Sequence, residues 1–344
     1  MFKNILSNNK SEILIFFLIL LSRVLIANYS DSFHSMDCVN YILAVEDYNI
    51  PAERPHLPGY IIYVVFFKFL TLFLPNGNPL FIVFQGIFQA ISAVIIFKII
   101  KNYFENINPF YFIIFLFSIP TVYFFGIVSE IYSIDILIIS VYLLLFHKKK
   151  VLWLLPYIGF IAGIRQSSGG MLLPSALVYI FFCFKEKELT ISQFIKSGIL
   201  SIFIILAWFI PLIQTMGGLT QYLIALEKQK ELIVSYKLYN NIISFLTYSF
   251  FYLFPLFFVI ILSKFREKFR INQQIIFYLS IIIPQLILFI FYHYNKGYAL
   301  LLLPPLLLVI FNNLKINKKV IISISIIQLL FFYFYPGKIP SFNT

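Results

Sequence analysis

Apolar runs of roughly 16 to 21 residues recur along the whole chain, separated by short charged or Pro/Gly/Asn breaks, and each is long enough to be read as a membrane-crossing helix. They fall near 12–28, 79–97, 109–126, 131–146, 151–164, 169–184, 193–213, 242–262, 274–292, 298–312 and 319–335. The pattern predicts an all-α integral membrane protein: a single domain over 1–344, built as a polytopic helical bundle of about eleven spans. Two longer polar stretches, about 29–59 and about 214–241, read as external loops.

Segment 60–75 is apolar but ambiguous, and charge parity decides how to read it. If Lys3 and Lys10 start inside, the acidic stretch Asp31 to His56 is outside. A further crossing at 60–75 would then export five basic clusters: Lys98/Lys101, His147–Lys150, Lys185/Lys187, Lys264–Arg270 and Lys315–Lys319. Short basic loops are retained on the cytoplasmic side. Segment 60–75 is therefore expected to lie along the interface or to dip in and return. The same choice brings Glu130, Arg165, loop 214–241 and His293–Lys296 to the outer face with Asp37.

Composition agrees with the pattern. The chain is 61% hydrophobic and 12% charged over 344 residues, so lipid rather than water must solvate most of it. Its net charge of +12 sits in short inter-span loops, where it orients helices, and this argues against a nucleic-acid partner. Cys38 and Cys183 fall on opposite faces in this topology, which disfavours a disulfide, and there is no metal-type Cys cluster.

The polar residues concentrate between Met36 and Tyr63. A short surface helix is expected from about Ser35 to Tyr48, with Asp37, Asn40, Ala44 and Asp47 on a wet face and Met36, Val39, Ile42 and Leu43 on an oily one. Asn49-Ile-Pro51 ends it, and Pro55, Pro58 and Gly59 hold the next residues in a turn-rich path. Asp37 on this reading is also a plain first-turn acid that favours the helix dipole.

Six short motifs share an order and spacing with a known group: Met36-Asp37-Cys38, Glu46-Asp47-Tyr48, Pro55-His56-Leu57-Pro58-Gly59-Tyr60, Gly126-Ile-Val-Ser-Glu130-Ile-Tyr132, Ala162-Gly-Ile-Arg165-Gln-Ser167 and Asn295-Lys296-Gly297-Tyr298. In this the chain resembles the GT-C superfamily of membrane glycosyltransferases, which includes protein O-mannosyltransferases and lipid A aminoarabinose transferases. The resemblance runs along most of the chain. It implies transfer of a sugar from a polyprenyl-phosphate donor to an acceptor hydroxyl, from a glycan, lipid or protein, on the outer face of the plasma (inner) membrane.

Such a reaction needs a general base for a weakly acidic alcohol, and Asp37 is the candidate. The phosphate leaving group needs cations or hydrogen-bond donors rather than an acid, which Arg54, His56, Arg165 and Lys296 can supply. Glu130, Tyr60 and Tyr298 complete the candidate substrate-binding set. Each has a structural reading as well: Arg165 as a helix-end anchor, Lys296 as a loop lysine, His56 as a local hydrogen-bonder, Glu130 as a helix cap, and the tyrosines as interfacial belt residues. Asp135, one turn deeper, is a buried carboxylate expected to be paired or protonated, and intramembrane charge looks otherwise nearly limited to Lys68. A divalent cation held by Asp37, Glu46, Asp47 and Glu130 is conceivable but not favoured, because Glu46 points away from the face that carries Asp37. Loop 214–241, with its Gly217-Gly218 turn, reads as a lid or as a solvated connector.

Two other classes compete. A transporter or flippase of a lipid-linked or amphipathic substrate would show repeats and broken, charged helices at mid-membrane depth. An envelope polysaccharide polymerase would carry its main external loop late in the chain rather than first.

Overall fold

The computed structural model describes residues 10–27, 33–234, 239, 242–243, 256, 259–265, 272–291 and 296–334. Most of the expected span 242–262, the end of loop 214–241, Asp31, His293–Asn295 and the Lys296 side chain lie outside that description. The architecture is all-α: α1 (Lys10–Ala27), α2 (Met36–Glu46), α3 (Ile61–Leu70), α4 (Asn78–Tyr103), α5 (Pro109–Ser118), α6 (Pro120–Phe125), α7 (Ser133–His147), α8 (Leu154–Ile164), α9 (Gln166–Lys185), α10 (Ile191–Thr215), α11 (Leu219–Val234), α12 (Gln273–Phe291), α13 (Ala299–Asn313) and α14 (Lys318–Phe334). A two-residue antiparallel pair, β1 (Lys264–Phe265) with β2 (Leu314–Lys315), joins two loops.

Sequence chemistry marks the boundaries. Pro109 and Pro120 open α5 and α6 at first-turn positions where no amide hydrogen is needed. Asn108 caps α5, and Thr190 with Gln193 forms a capping box on α10.

Among the described residues four helices, α4, α9, α10 and most of α12, are long and apolar enough to cross a membrane. Helix α10 exposes Ile199, Ile202, Phe203, Leu206 and Ile210, a surface that lipid tolerates and water does not. This is a helical membrane protein. Because lipid is as apolar as a leucine side chain, the helices are held by close packing and polar contacts instead. Small residues Gly86, Ala90 and Ala93 let α4 approach its neighbours, and Gly86 lies against Arg23 of α1. Ser197, Ser201 and Trp208 of α10 donate to the carbonyls of Leu152, Leu155 and Gly159 along α8 and the turn before it.

The polar contacts divide between two ends of the bundle. At one end Glu12 meets Lys101 (3.8 Å), Tyr103 stacks on His147, His147 bonds Tyr278, Gln273 bonds Glu186, and Lys149 pairs with Glu188. The loops with Lys98, Lys148–Lys150, Lys185/Lys187 and Lys315–Lys319 thus share a basic end. At the other end lie α2, the 47–60 loop, Glu130, Arg165 and Tyr298. Helix α3 is only ten residues, about 15 Å at 1.5 Å per residue. The segment that carries it begins with Tyr60 against Tyr41 of α2 and ends with Asn76 donating to Ile42 O and Glu46 Oε1, so both its ends return to α2.

A helix forms where one was expected, as Met36–Glu46, but its buried stripe differs. Cys38, Tyr41, Ala44 and Val45 are buried, so Ala44 is not on a wet face, and Asp47 lies past the helix end; Met36 is 73% exposed and has no protein cover. The reason is the covering material. Aromatic side chains of Tyr60 and Tyr63, not lipid alone, pack on α2.

A second difference concerns buried charge. Between α5 and α7 the chain breaks at Ser118–Ile119 and runs non-helically from Gly126 to Tyr132, freeing carbonyls deep in the bundle. In lipid these must be satisfied internally. Arg23 donates to Phe117 O (2.9 Å) and Gln89 Oε1 (2.9 Å), Gln89 donates to Val122 O, and Ser133 to Phe125 O. The Arg23 guanidinium lies 4.0 Å from the Tyr123 ring, with no carboxylate in ion-pair range among the described residues. Intramembrane charge is therefore not confined to Asp135 and Lys68. Gln89→Leu should cost about 1–3 kcal/mol for each orphaned group, read as thermal unfolding in detergent, while Lys98→Gln on the exposed side of the same helix leaves the midpoint unchanged.

Candidate functional site

Ser35 starts the site. Its hydroxyl accepts from the Cys38 amide as the N-cap of α2 and donates to Glu130 Oε1 at 2.8 Å. His34 stands 4.0 Å from the same oxygen. Glu130 is thus buried and tied to the first loop rather than capping α7, whose first turn has no side-chain cap.

In the first turn of α2, Asp37 keeps a 45% exposed side chain, with Oδ1 3.3 Å from His56 Nδ1. That pair is close without an aligned hydrogen bond. His56 Nε2 instead meets the Tyr60 hydroxyl at 3.1 Å, and Tyr41 packs against both rings. Tyr60 has φ 45 and ψ 38, a left-handed conformation that costs a non-glycine residue about 1–3 kcal/mol and persists only where surroundings impose it.

The loop presenting His56 is held by its own carbonyls. Gln229 donates to Leu57 O, Gln166 to Pro58 O and Tyr48 to Gly59 O, at 3.1, 3.2 and 2.7 Å. Arg54–Pro55 and Leu57–Pro58 are cis. Gly59 has φ +107, and a Cβ there would strike Ile50, Leu212 and the Tyr48 hydroxyl, so glycine is required twice over. Arg54 turns back to Asp47 at 3.3 Å on the rim. Helix α11, within the 214–241 loop, packs Tyr222 beside Ile50 and Trp208 and so covers this loop.

Deeper in, Asp135 (0% exposed) forms an ion pair with Arg165 (2%) and accepts from Ser168 at 2.6 Å. The Arg165 guanidinium sits 4.4 Å from the Tyr132 ring and 4.3 Å from the Tyr298 ring. Gly297 makes this possible, since a Cβ there would overlap the Tyr132 ring. Gly297→Ala is expected to push Tyr132 off the guanidinium and cost about 1–3 kcal/mol, as overpacking does, measurable as a lowered unfolding midpoint.

Burial lowers the His56 imidazole below its ordinary 6.5, with Asp37 and Glu53 pulling the other way and Arg165 adding to the depression. Because the unfolded chain then binds the proton more readily, the contribution of His56 to stability is complete above about 6.5 and is lost as pH falls below it. His56→Gln should flatten that acid limb in an unfolding-midpoint series across pH.

Asp37, His56, Tyr60, Glu130, Arg165 and Tyr298 therefore gather at one end, with Arg54 at the rim. Tyr41, Tyr132, Ser35, Ser168, Gln166 and Gln229 belong to the same site; Tyr132 and Gln166 fall inside two of the short motifs without a role suggested for them, and the others carried no sequence signal of their own. Among the described residues no three His, Cys, Asp or Glu side chains come together as metal ligands. The arrangement offers an exposed carboxylate beside a neutral imidazole above a buried, charge-balanced platform. No protein-family model, curated protein or solved structure matches this chain.

Proposed function

We propose that this protein is a glycosyltransferase of the inner membrane, moving a sugar from a polyprenyl-phosphate donor to an acceptor hydroxyl at the outer face. The observation that carries the reading is the convergence of Asp37, His56, Tyr60, Glu130 and Tyr298 at the end opposite the basic loops. Retaining those loops in the cytoplasm places Asp37 outside. Eleven crossings then account for the chain, with one in 242–262, while α2 and the short α3 lie at the interface without crossing.

In the reaction the acceptor oxygen attacks the anomeric carbon, the bond from that carbon to the phosphate oxygen breaks, and the hydroxyl proton passes to Asp37. Polyprenyl phosphate leaves as the anion. Asp37 is open enough to meet an acceptor, and His56, neutral beside it, leaves its charge unquenched. Arg165 is committed to Asp135 in a buried pair, so it shapes the Tyr132 and Tyr298 walls, and phosphate neutralisation falls to Lys296 and to Arg54, whose pair with Asp47 is exposed and exchangeable. Turnover of polyprenyl-phosphate hexose by purified protein, lost in Asp37→Asn, tests the assignment.

A transporter of lipid-linked substrate is the second reading, favoured by the broken α5–α6 passage with buried Arg23 and Gln89. Counterflow in proteoliposomes without covalent product would select it.

A further inference from the structure

Three cavities lined by described residues lie at the basic end, away from Asp37. One, of about 500 Å³, opens between the start of α5 and the start of α14. Its floor is apolar and buried, formed by Ile107, Phe311, Leu314 and Ile321. Its rim is polar, with the exposed Lys315 and Lys318 beside Asn108 and Asn317. Neither lysine has a carboxylate in ion-pair range among the described residues, and Glu105, nearby in sequence, does not line the space. Lys318 also occupies the first turn of α14, where the helix dipole repels a cation and attracts an anion.

We infer that this cavity binds the phosphate headgroup and glycerol backbone of an anionic phospholipid. The cations and the helix start meet the phosphodiester, and the apolar floor takes the first carbons below it. A free phosphate would have no use for that floor. The position suits a lipid as well, because α5 and α14 both expose apolar residues along their length, Phe110 and Ile114 on one, Ile322 and Ile326 on the other. A headgroup held there would bridge the α4–α5 and α13–α14 loops, which are far apart in sequence. The site is independent of the glycosyltransferase reading, since it uses none of the residues near Asp37.

The test is binding of phosphatidylglycerol, phosphatidylcholine and inorganic phosphate to purified full-length protein, followed by native mass spectrometry. The expected result is preferential retention of phosphatidylglycerol, weakened about thirtyfold in Lys315→Gln/Lys318→Gln, the loss of two lysine contacts. Lys185→Gln/Lys187→Gln, exposed and outside the cavity, removes the same charge and should change nothing. Equal losses in the two double variants would mean diffuse surface attraction and would overturn the site. So would equal retention of phosphatidylcholine, or displacement of the lipid by inorganic phosphate at equal concentration. Both pairs are solvent-exposed, so unchanged thermal unfolding separates lost binding from lost fold.

Discussion

Asp135→Ala should destabilise the folded protein by about 3–5 kcal/mol, because it leaves the Arg165 guanidinium buried without its counter-charge and Ser168 without its acceptor. Two tyrosine rings at 4.3 and 4.4 Å soften that charge but cannot replace a carboxylate. Unfolding of the detergent-solubilised protein by heat or SDS measures the loss. The double variant Asp135→Leu/Arg165→Met should recover much of it, since removing both charges also removes the desolvation each one suffers. By contrast Lys149→Gln, which breaks the exposed pair with Glu188, should leave the midpoint where it was. A double variant no more stable than the single would show that Arg165 is held by its other neighbours.

Asp37→Asn should lower sugar transfer by about 100- to 10,000-fold, the range over which a positioned general base acts, with unfolding unchanged. The side chain is 45% exposed and makes no aligned hydrogen bond, so the fold asks little of it. Glu46→Gln, on the same helix but engaged with Asn76, should leave turnover intact. Product formation at the wild-type rate in Asp37→Asn would remove the base, whereas failure of the wild-type protein with every polyprenyl-phosphate hexose would remove the substrate class.

Legibility in the sequence varied with the distance over which a feature is decided. The extent of α2 was readable to within about two residues, because a stop such as Asn49-Ile-Pro51 acts within a turn. Its buried face was not, because Tyr60 and Tyr63 cover it from another segment. Asp135 stood out as a carboxylate in an apolar run, expected to be either paired or protonated. That the partner is Arg165, thirty residues on, follows from how α7 and α9 pack. Arg23 went unremarked because it is one polar residue in α1, whose meaning depends on carbonyls freed more than ninety residues later. Gln166 and Gln229 were equally silent, because neither carries charge and each bonds a carbonyl of the distant 55–60 loop.

The amino-acid sequence alone determined that the chain is helical and belongs in lipid, and which loops are basic. These are local properties: a long apolar run without water must bond its own backbone, and a lysine cluster carries its charge wherever the chain goes. The tertiary structure alone decided which polar groups meet, that Arg165 answers Asp135, that Arg23 mends a broken helix, and that Asp37 remains open to solvent. Each of those depends on residues brought together from separate helices, and a buried polar group takes its partner from whatever the packing presents.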